Sequence, residues 1–381
     1  MSGRKTVLWD ARLLLEKPTG IGRYIASLVP ELLAIAPDWT FHLLRRAEPW
    51  PGYGVADWRA PNLVHHVTAA RHMSLAQHVA IPRRARALGA DLVHYPHFDA
   101  PVLFGSVPVV ATVHGVLPLV HPEAFRRFSL AKRVYMRACH HATFRRAAAV
   151  LAVSESTAKE IVRFFPAAAP RVTAIPLAAD ARFRRASDET IREFRDRHRL
   201  ARPFVLALGE FRRHKNTIGL LAAWAKASAR RSHDLLLVGV RHPDGDVPED
   251  EIAKRGLGDS VRVLTGLSAD DVVAAYSAAA VFAIVSIYEG FGLPVLEAMA
   301  CDVPVIASGT TATAEVAGDA ALLVDPAEPA QIAAALDRLA GSPEERARLV
   351  QAGRLQRDRF SWRRTAERTL EVYERVARAR T

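Results

Sequence analysis

The sequence predicts an α/β protein built from two doubly wound parallel-sheet domains. Three observations carry that expectation. Short apolar runs alternate with segments of helical period along the chain. The alternation breaks at a polar, arginine-rich stretch near the middle and then begins again. The length, 381 residues, is long for one core and suits two domains of ordinary size.

The first half opens with "TVLWDA" (6–11), a strand, and "GRYIASLVPELLAIA" (22–36), which has helical spacing. "TFHLLRR" (40–46), "DLVHYP" (91–96) and "PVVATVHG" (108–115) read as further strands. "AAVLAVSESTAKEIVRFF" (148–165) reads as a strand, a serine-rich N-cap and a helix. "RVTAIPLAAD" (171–180) closes the series, giving a first domain over 1–185. The segment "ARFRRASDETIREFRDRHRLARP" (181–203) is poor in large apolar residues, so 186–202 is expected to be a linker with room for a short helix. A second domain over 203–360 carries "FVLALGE" (204–210), "DLLLVGV" (234–240), "VRVLTG" (261–266), "VFAIVS" (281–286), "VPVIAS" (303–308) and "AALLVDP" (320–326) as strands. The tail, 361–381, is amphipathic, with Ser361 placed to cap a helix.

Composition narrows the class. Half the residues are hydrophobic and a quarter are charged, as in globular proteins. No apolar run reaches the length of a membrane span, and the N-terminus reads as a first strand rather than a signal peptide. Two cysteines, Cys139 and Cys301, imply no disulfide framework and fit a reducing cytoplasm. The net charge of +12 favours anionic partners: nucleotide phosphates, lipid head groups or nucleic acid. No nucleic-acid-binding module accompanies it.

The most informative stretch is "IYEGFGLPVLEAMACDVPVIAS" (287–308). It places a glycine-bearing loop after a buried strand and opens a helix, with Pro294 where a missing N–H costs nothing. Ligands of open α/β sheets bind at such strand ends. Gly290 and Gly292 let the backbone approach a ligand. Glu289 and Glu297, with seven residues between them, suit vicinal hydroxyls of a sugar or a ribose. The same features also fit an ordinary turn followed by a helix whose dipole favours an acid in its first turn.

Residues 289–326, "EGFGLPVLEAMACDVPVIAS...AEVAGDAALLVDP", resemble the donor-binding region of retaining GT-B glycosyltransferases of the GT4 family, whose signature is two glutamates so spaced. "TGIGRYIASL" (19–28), "TVHGVLPLVHPEAF" (112–125), "AVSESTAKEI" (152–161), "LALGEFRRHKN" (206–216) and "FSW" (360–362) resemble further family segments in the same order. The resemblance implies two Rossmann-like domains facing a central cleft, the first for the acceptor and the second for a nucleotide-sugar donor. It also implies that the closing helix 361–381 packs back on the first.

Roles follow from the resemblance. Glu297 would hold the ribose and Glu289 the donor sugar, with N–H groups of Gly290, Phe291, Gly292 and Leu293 assisting. Lys215, with Arg212 or Arg213, would neutralise the diphosphate as the sugar departs. The chain departs from a common pattern by carrying Glu210 after the glycine. His114 would stand beside the transferred sugar, with Gly115 where relatives often have an acid. Gly20 and Gly22 would form a loop near the donor phosphate or the acceptor, with Arg23 a weaker candidate. A dinucleotide fingerprint is excluded there because Ile25 occupies the place of its third glycine. No metal or other cofactor is expected. "DGD" (244–246) sits in a proline- and acid-rich turn and is not taken as a metal motif.

The function expected is hexosyl transfer with retention, best matched to mannose from GDP-mannose, onto a glycan or lipid-linked acceptor of the cell envelope. "FRRFSLAKRVYMRACHHATFRR" (125–146) is basic, acid-free and interleaved with aromatics, as suits a helix resting on an anionic membrane from the cytoplasmic side. The competing expectations are a nucleotide-sugar epimerase and a non-catalytic sugar-nucleotide or membrane-binding protein.

Overall fold

The computed structural model describes residues 4–15, 19–47, 58–102, 105–125, 128–242 and 245–379. The chain forms two compact units, Met1–Leu177 with Ser361–Thr381, and Ala178–Phe360. The division therefore falls ahead of 185, where the sequence placed it.

The N-terminal unit holds a seven-stranded sheet of β1 (Lys5–Asp10), β2 (Trp39–Arg45), β3 (Leu63–Val67), β4 (Leu92–Tyr95), β5 (Val109–Val113), β6 (Ala149–Ala152) and β7 (Val172–Ala174). Its order is β3-β2-β1-β4-β5-β6-β7 and every pairing is parallel. β4, β5 and β6 are buried throughout, because helices cover both faces of a parallel sheet. Strand order reverses between β1 and β4, so their carboxyl ends open a crevice.

The helix Trp362–Arg378 returns to this unit and packs on the helix Gly20–Ile35. Ser361 caps it, accepting from the Arg364 N–H. Its Tyr373 completes a buried polar chain. Trp9 Nε1 donates to the Tyr373 hydroxyl at 2.8 Å, and that hydroxyl is hydrogen-bonded to His94 Nδ1. The other ring nitrogen of His94, Nε2, is hydrogen-bonded to Thr112 Oγ1 at 3.0 Å. Burial, followed by the field of His114, holds the His94 pKa well below its usual value and keeps the ring neutral.

The C-terminal unit holds a six-stranded sheet of β8 (Phe204–Glu210), β9 (Asp234–Val240), β10 (Val261–Thr265), β11 (Val281–Ile284), β12 (Val305–Ser308) and β13 (Ala321–Val324). The order is β10-β9-β8-β11-β12-β13, again all parallel, and it reverses between β8 and β11. One core of Val205, Leu221, Trp224, Leu237, Ile306 and Leu336 fills a face of the sheet.

The stretch 186–202, expected as a linker with room for a short helix, holds that helix but packs it into the C-terminal unit. Ser187 caps a helix over Asp188–Arg197, Phe194 is buried, and Ala186 N–H bonds Ser277 Oγ at 2.9 Å. A single buried aromatic with helical period was enough to dock it, and the charged surroundings masked that signal. Among the described residues, no helix is long and apolar enough to cross a membrane.

Candidate functional site

The crevice of the C-terminal unit is built by the chain leaving β8 and β11. After β8, the residues Arg213–Lys215 form one tight turn. Asn216 follows in the left-handed region at φ 59°, which asparagine tolerates. Its Nδ2 donates to Val285 O at 3.0 Å and Pro326 O at 2.7 Å, fixing the turn to the end of β11. The Ile287 N–H bonds His214 O at 2.7 Å and adds a second tie. Gly219 is required beneath, since a Cβ there would lie 2.2 Å from Asn216 Oδ1.

These ties bring Lys215 and Glu289 together. Lys215 Nζ donates to Glu289 Oε1 at 2.7 Å, and Ser286 Oγ donates to the same oxygen at 2.7 Å. Among the described residues no bond falls on Glu289 Oε2, so one carboxylate oxygen is anchored while the other stays available. Gly209, Lys215, Thr217, Ala283, Val285 and Ser286 line the cavity at this point. His214 is half-buried beside them, and desolvation and then the Lys215 charge bring its pKa down to about 4. It is neutral at physiological pH.

Beyond Glu289, Gly290 and Phe291 are buried and Leu293 is half-buried. The Phe291 ring meets Phe360 edge-on at 5.9 Å, so its side chain belongs to the core. Gly292 adopts φ +103°, and a Cβ there would lie 3.0 Å from Thr313 Cγ2. Conformation and packing both select glycine. The helix Leu293–Ala300 starts there, with Pro294 in its first turn. Glu297 is only 1% exposed, and its Oε2 accepts from the Tyr276 hydroxyl at 3.0 Å. The sequence named Glu297 but not the buried tyrosine that bonds it.

Arg212 pairs with Glu210, so the acid after Gly209 occupies the nearer guanidinium. Arg213 is exposed. The backbone N–H of Asp246 bonds Phe211 O at 2.8 Å, and Asp244 lies outside the described residues.

In the N-terminal unit, Gly20 and Gly22 are not a loop but the first turn of the helix Gly20–Ile35. The Thr19 hydroxyl caps it and takes the Gly22 N–H at 3.0 Å, so that donor is spent within the protein. Arg23 follows on the same turn, its own N–H bonded to Thr19 O. His114 ends β5 with its ring edge-on to Tyr24 at 4.8 Å. Its Nε2 is buried without a hydrogen bond to the described residues. Burial, with the field of His97 adding to it, pushes the pKa down to about 3, so the ring is neutral.

A polar cluster at the ends of β1 and β4 escaped the sequence reading. Arg12 makes a bidentate pair with Asp10, both arms at 2.8 Å and both side chains buried. Arg12 also donates to Gln77 Oε1, to the Tyr95 hydroxyl and to Ala70 O. His72, His97 and Asp99 adjoin it. The signal was present in "HYPHFD" (94–99), where polar residues of one cluster follow a strand at a sheet's switch point.

Comparison with known proteins gives the family and the fold. Residues 18–183 match the family described as Glycosyltransferase Family 4, and residues 189–356 match Glycosyl transferases group 1. The O-antigen chain mannosyltransferase B of Escherichia coli is 30% identical over 372 residues, covering 93% of this chain and 96% of that protein. The MMP alpha-(1->4)-mannosyltransferase of Mycolicibacterium hassiacum is 34% identical over 279 residues, covering 71% of this chain and 66% of that protein. Among solved structures, Anabaena Alr3699/HepE in complex with UDP and glucose superposes with a TM-score of 0.77 at 18% identity. It covers 97% of this chain and 99% of that one, a likeness of fold.

Proposed function

The chain belongs to the group 1, family 4 glycosyltransferases, with the GT-B fold, and from that premise we propose that it transfers mannose from GDP-mannose to a glycan or lipid-linked acceptor with retention of configuration. The observation that carries this reading is the Lys215–Glu289–Ser286 arrangement at the switch point of the C-terminal sheet. The mannose assignment is supported by the relatives, whose names describe an O-antigen chain mannosyltransferase and an MMP alpha-(1->4)-mannosyltransferase.

In this reading, Lys215 takes the diphosphate and exchanges its Glu289 partner for phosphate oxygen. Glu289 then holds a sugar hydroxyl through Oε2, and Glu297, positioned by Tyr276, holds the ribose. Backbone N–H groups at Gly290–Leu293 support the sugar and diphosphate. The bond from the anomeric carbon to the leaving oxygen breaks as the acceptor hydroxyl adds on the same face. The acceptor proton passes to the departing phosphate oxygen. Positive charge from Lys215 stabilises the leaving group, so no metal is needed at the diphosphate. His114, neutral, serves a substrate hydroxyl.

The acceptor suits a membrane-surface setting. The helix Leu130–Arg146 exposes Leu130 and Val134, one turn apart, among the exposed Lys132, Arg133 and Arg137. Two apolar residues within a basic face suit the head-group region of an anionic bilayer. In this reading the protein works peripherally, on the cytoplasmic side of the membrane.

The test is a transfer assay with GDP-mannose and an alkyl mannoside acceptor in excess chelator, with the product's anomeric configuration read by NMR. An α-linked product formed at the same rate with chelator supports the reading. A β-linked product, strict dependence on a uridine or thymidine donor, or epimerised sugar nucleotide without acceptor overturns it.

A further inference from the structure

Three side chains of the N-terminal unit converge outside any role given above. His72 lies on the connection from β3 to the helix Gln77–Ala87, and His97 and Asp99 lie just past the end of β4. His72 Nε2, His97 Nδ1 and an Asp99 oxygen all lie within 4.8 Å of one another. His97 Nδ1 is 2.5 Å from Asp99 Oδ1, and His72 Nε2 is 3.2 Å from that same oxygen. The two rings meet edge-on with centroids 4.6 Å apart.

We propose that His72, His97 and Asp99 form a binding site for a divalent transition-metal ion of the zinc type.

Four features support it. First, the ligand set is two imidazoles and one carboxylate, which suits zinc and its neighbours and not magnesium or calcium. Second, one spacing already fits. Tetrahedral zinc with bonds near 2.0–2.1 Å sets its ligand atoms about 3.3 Å apart, close to the His72–Asp99 separation, whereas His97 Nδ1, now hydrogen-bonded to Asp99 Oδ1 at 2.5 Å, would draw back as the ion replaces their shared proton. Third, His72 Nε2 is buried and makes no hydrogen bond among the described residues, although it faces Asp99. A purely hydrogen-bonded cluster leaves that atom unsatisfied, whereas a bound ion uses its lone pair.

Fourth, an outer shell is already in place. Gln77 Nε2 donates to Asp99 Oδ2 at 2.7 Å, which turns Oδ1 toward the histidines. Gln77 is itself held through Oε1 by the Tyr95 hydroxyl at 2.9 Å and by Arg12. Such outer partners fix the orientation of metal ligands. Arg12 is neutralised by Asp10, so the net charge facing the ion is the Asp99 carboxylate. Binding needs lone pairs on His97 Nδ1 and His72 Nε2, so the ring protons of the neutral histidines move to, or stay on, the opposite nitrogens. Three protein ligands leave one position for water or a substrate oxygen. The ion would clasp the β3-to-helix connection to the end of β4.

This site is separate from the donor diphosphate, where Lys215 supplies the charge. The experiment is equilibrium dialysis of the full chain, free of any affinity tag, against Zn²⁺, with metal counted by mass spectrometry. One equivalent should be retained by the wild type and lost in His72→Ala and in Asp99→Asn. Gln77→Ala should weaken binding roughly 10- to 100-fold. His72, at 18% by side chain, is the most exposed of the three ligands, so His72→Ala is the variant least prone to misfold. As a second readout, Zn²⁺ should raise the unfolding temperature of the wild type and not of His72→Ala. Stoichiometric zinc that survives His72→Ala, or no retained zinc in the wild type, would leave a hydrogen-bonded cluster only and overturn the assignment.

Discussion

Lys215 Nζ donates to Glu289 Oε1 across 2.7 Å, joining the turn after β8 to the loop after β11. Each side chain is the other's partner before any substrate arrives. The pair lies partly exposed, at 26% and 12% by side chain, so its own contribution to stability is small. Its consequence is positional: a cation and a carboxylate stand pre-oriented at the switch point of a parallel sheet.

Lys215→Ala removes the cation assigned to the diphosphate. GDP affinity should fall by about 1.5–3 kcal/mol, the usual worth of a hydrogen bond to a charged group. Isothermal titration reads this directly. Affinity equal to wild type would remove Lys215 from the diphosphate site.

Glu289→Gln keeps the shape and one acceptor oxygen but loses the charge. Turnover should fall by about 10²–10³ while GDP affinity stays close to wild type, because Glu289 is assigned to the sugar. Parallel loss of GDP affinity would place Glu289 on the nucleotide instead.

Tyr276→Phe should weaken GDP binding without touching the nucleotide, because it frees the Glu297 carboxylate from its 3.0 Å hydrogen bond. It should also lower stability by about 1–3 kcal/mol through the buried carboxylate left with one partner fewer. Urea unfolding combined with titration separates the two effects. Full stability with full affinity would show that Tyr276 does not position Glu297.

Tyr373→Phe leaves the Trp9 N–H and His94 Nδ1 without the hydroxyl that links them. The N-terminal unit should lose at least about 2 kcal/mol, since two buried polar groups become unsatisfied. A loss below about 0.5 kcal/mol in urea would mean the chain from Trp9 to Thr112 does not anchor the C-terminal helix.

Stability should fall in mild acid. A histidine in the unfolded chain takes a proton near 6.5, whereas folded His114 waits until about 3 and folded His214 until about 4. Between those values the unfolded chain binds more protons, so the contribution is complete above 6.5 and is lost as pH falls toward 4. Urea midpoints across that range should drop, and more gently in His214→Asn. An unchanged slope in that variant would show that His214 takes up its proton as readily in the fold as in the unfolded chain.

Much of this architecture was legible from residue order. β11 and β12 are apolar runs buried throughout, β8 and β9 are buried over their first residues, and the apolar runs alone revealed all four. β3 was missed because "LVHHV" is an edge strand with two histidines and no fully buried residue. Its pairing with β2, not its hydrophobicity, makes it a strand. Glu289, Glu297 and Lys215 were named from a motif, but their partners were not. Tyr276 lies on a different helix from Glu297, and Asn216 reaches Val285 and Pro326 across the sheet. Contacts of that range leave no local pattern. The Gly20–Gly22 turn was misjudged because glycines suggest a loop, while Thr19 supplies the cap that starts a helix there.

The central claim is a metal-free guanosine-nucleotide site that uses Glu297 and Lys215. The measurement that tests it most directly is calorimetric binding of GDP, UDP, dTDP and ADP in excess chelator to the wild type, Glu297→Ala and Lys215→Ala. The account predicts that GDP binds tightest to the wild type and that both variants lose most of that affinity. Binding that requires a divalent ion, a preference for another nucleotide, or variants that bind as the wild type does would contradict it.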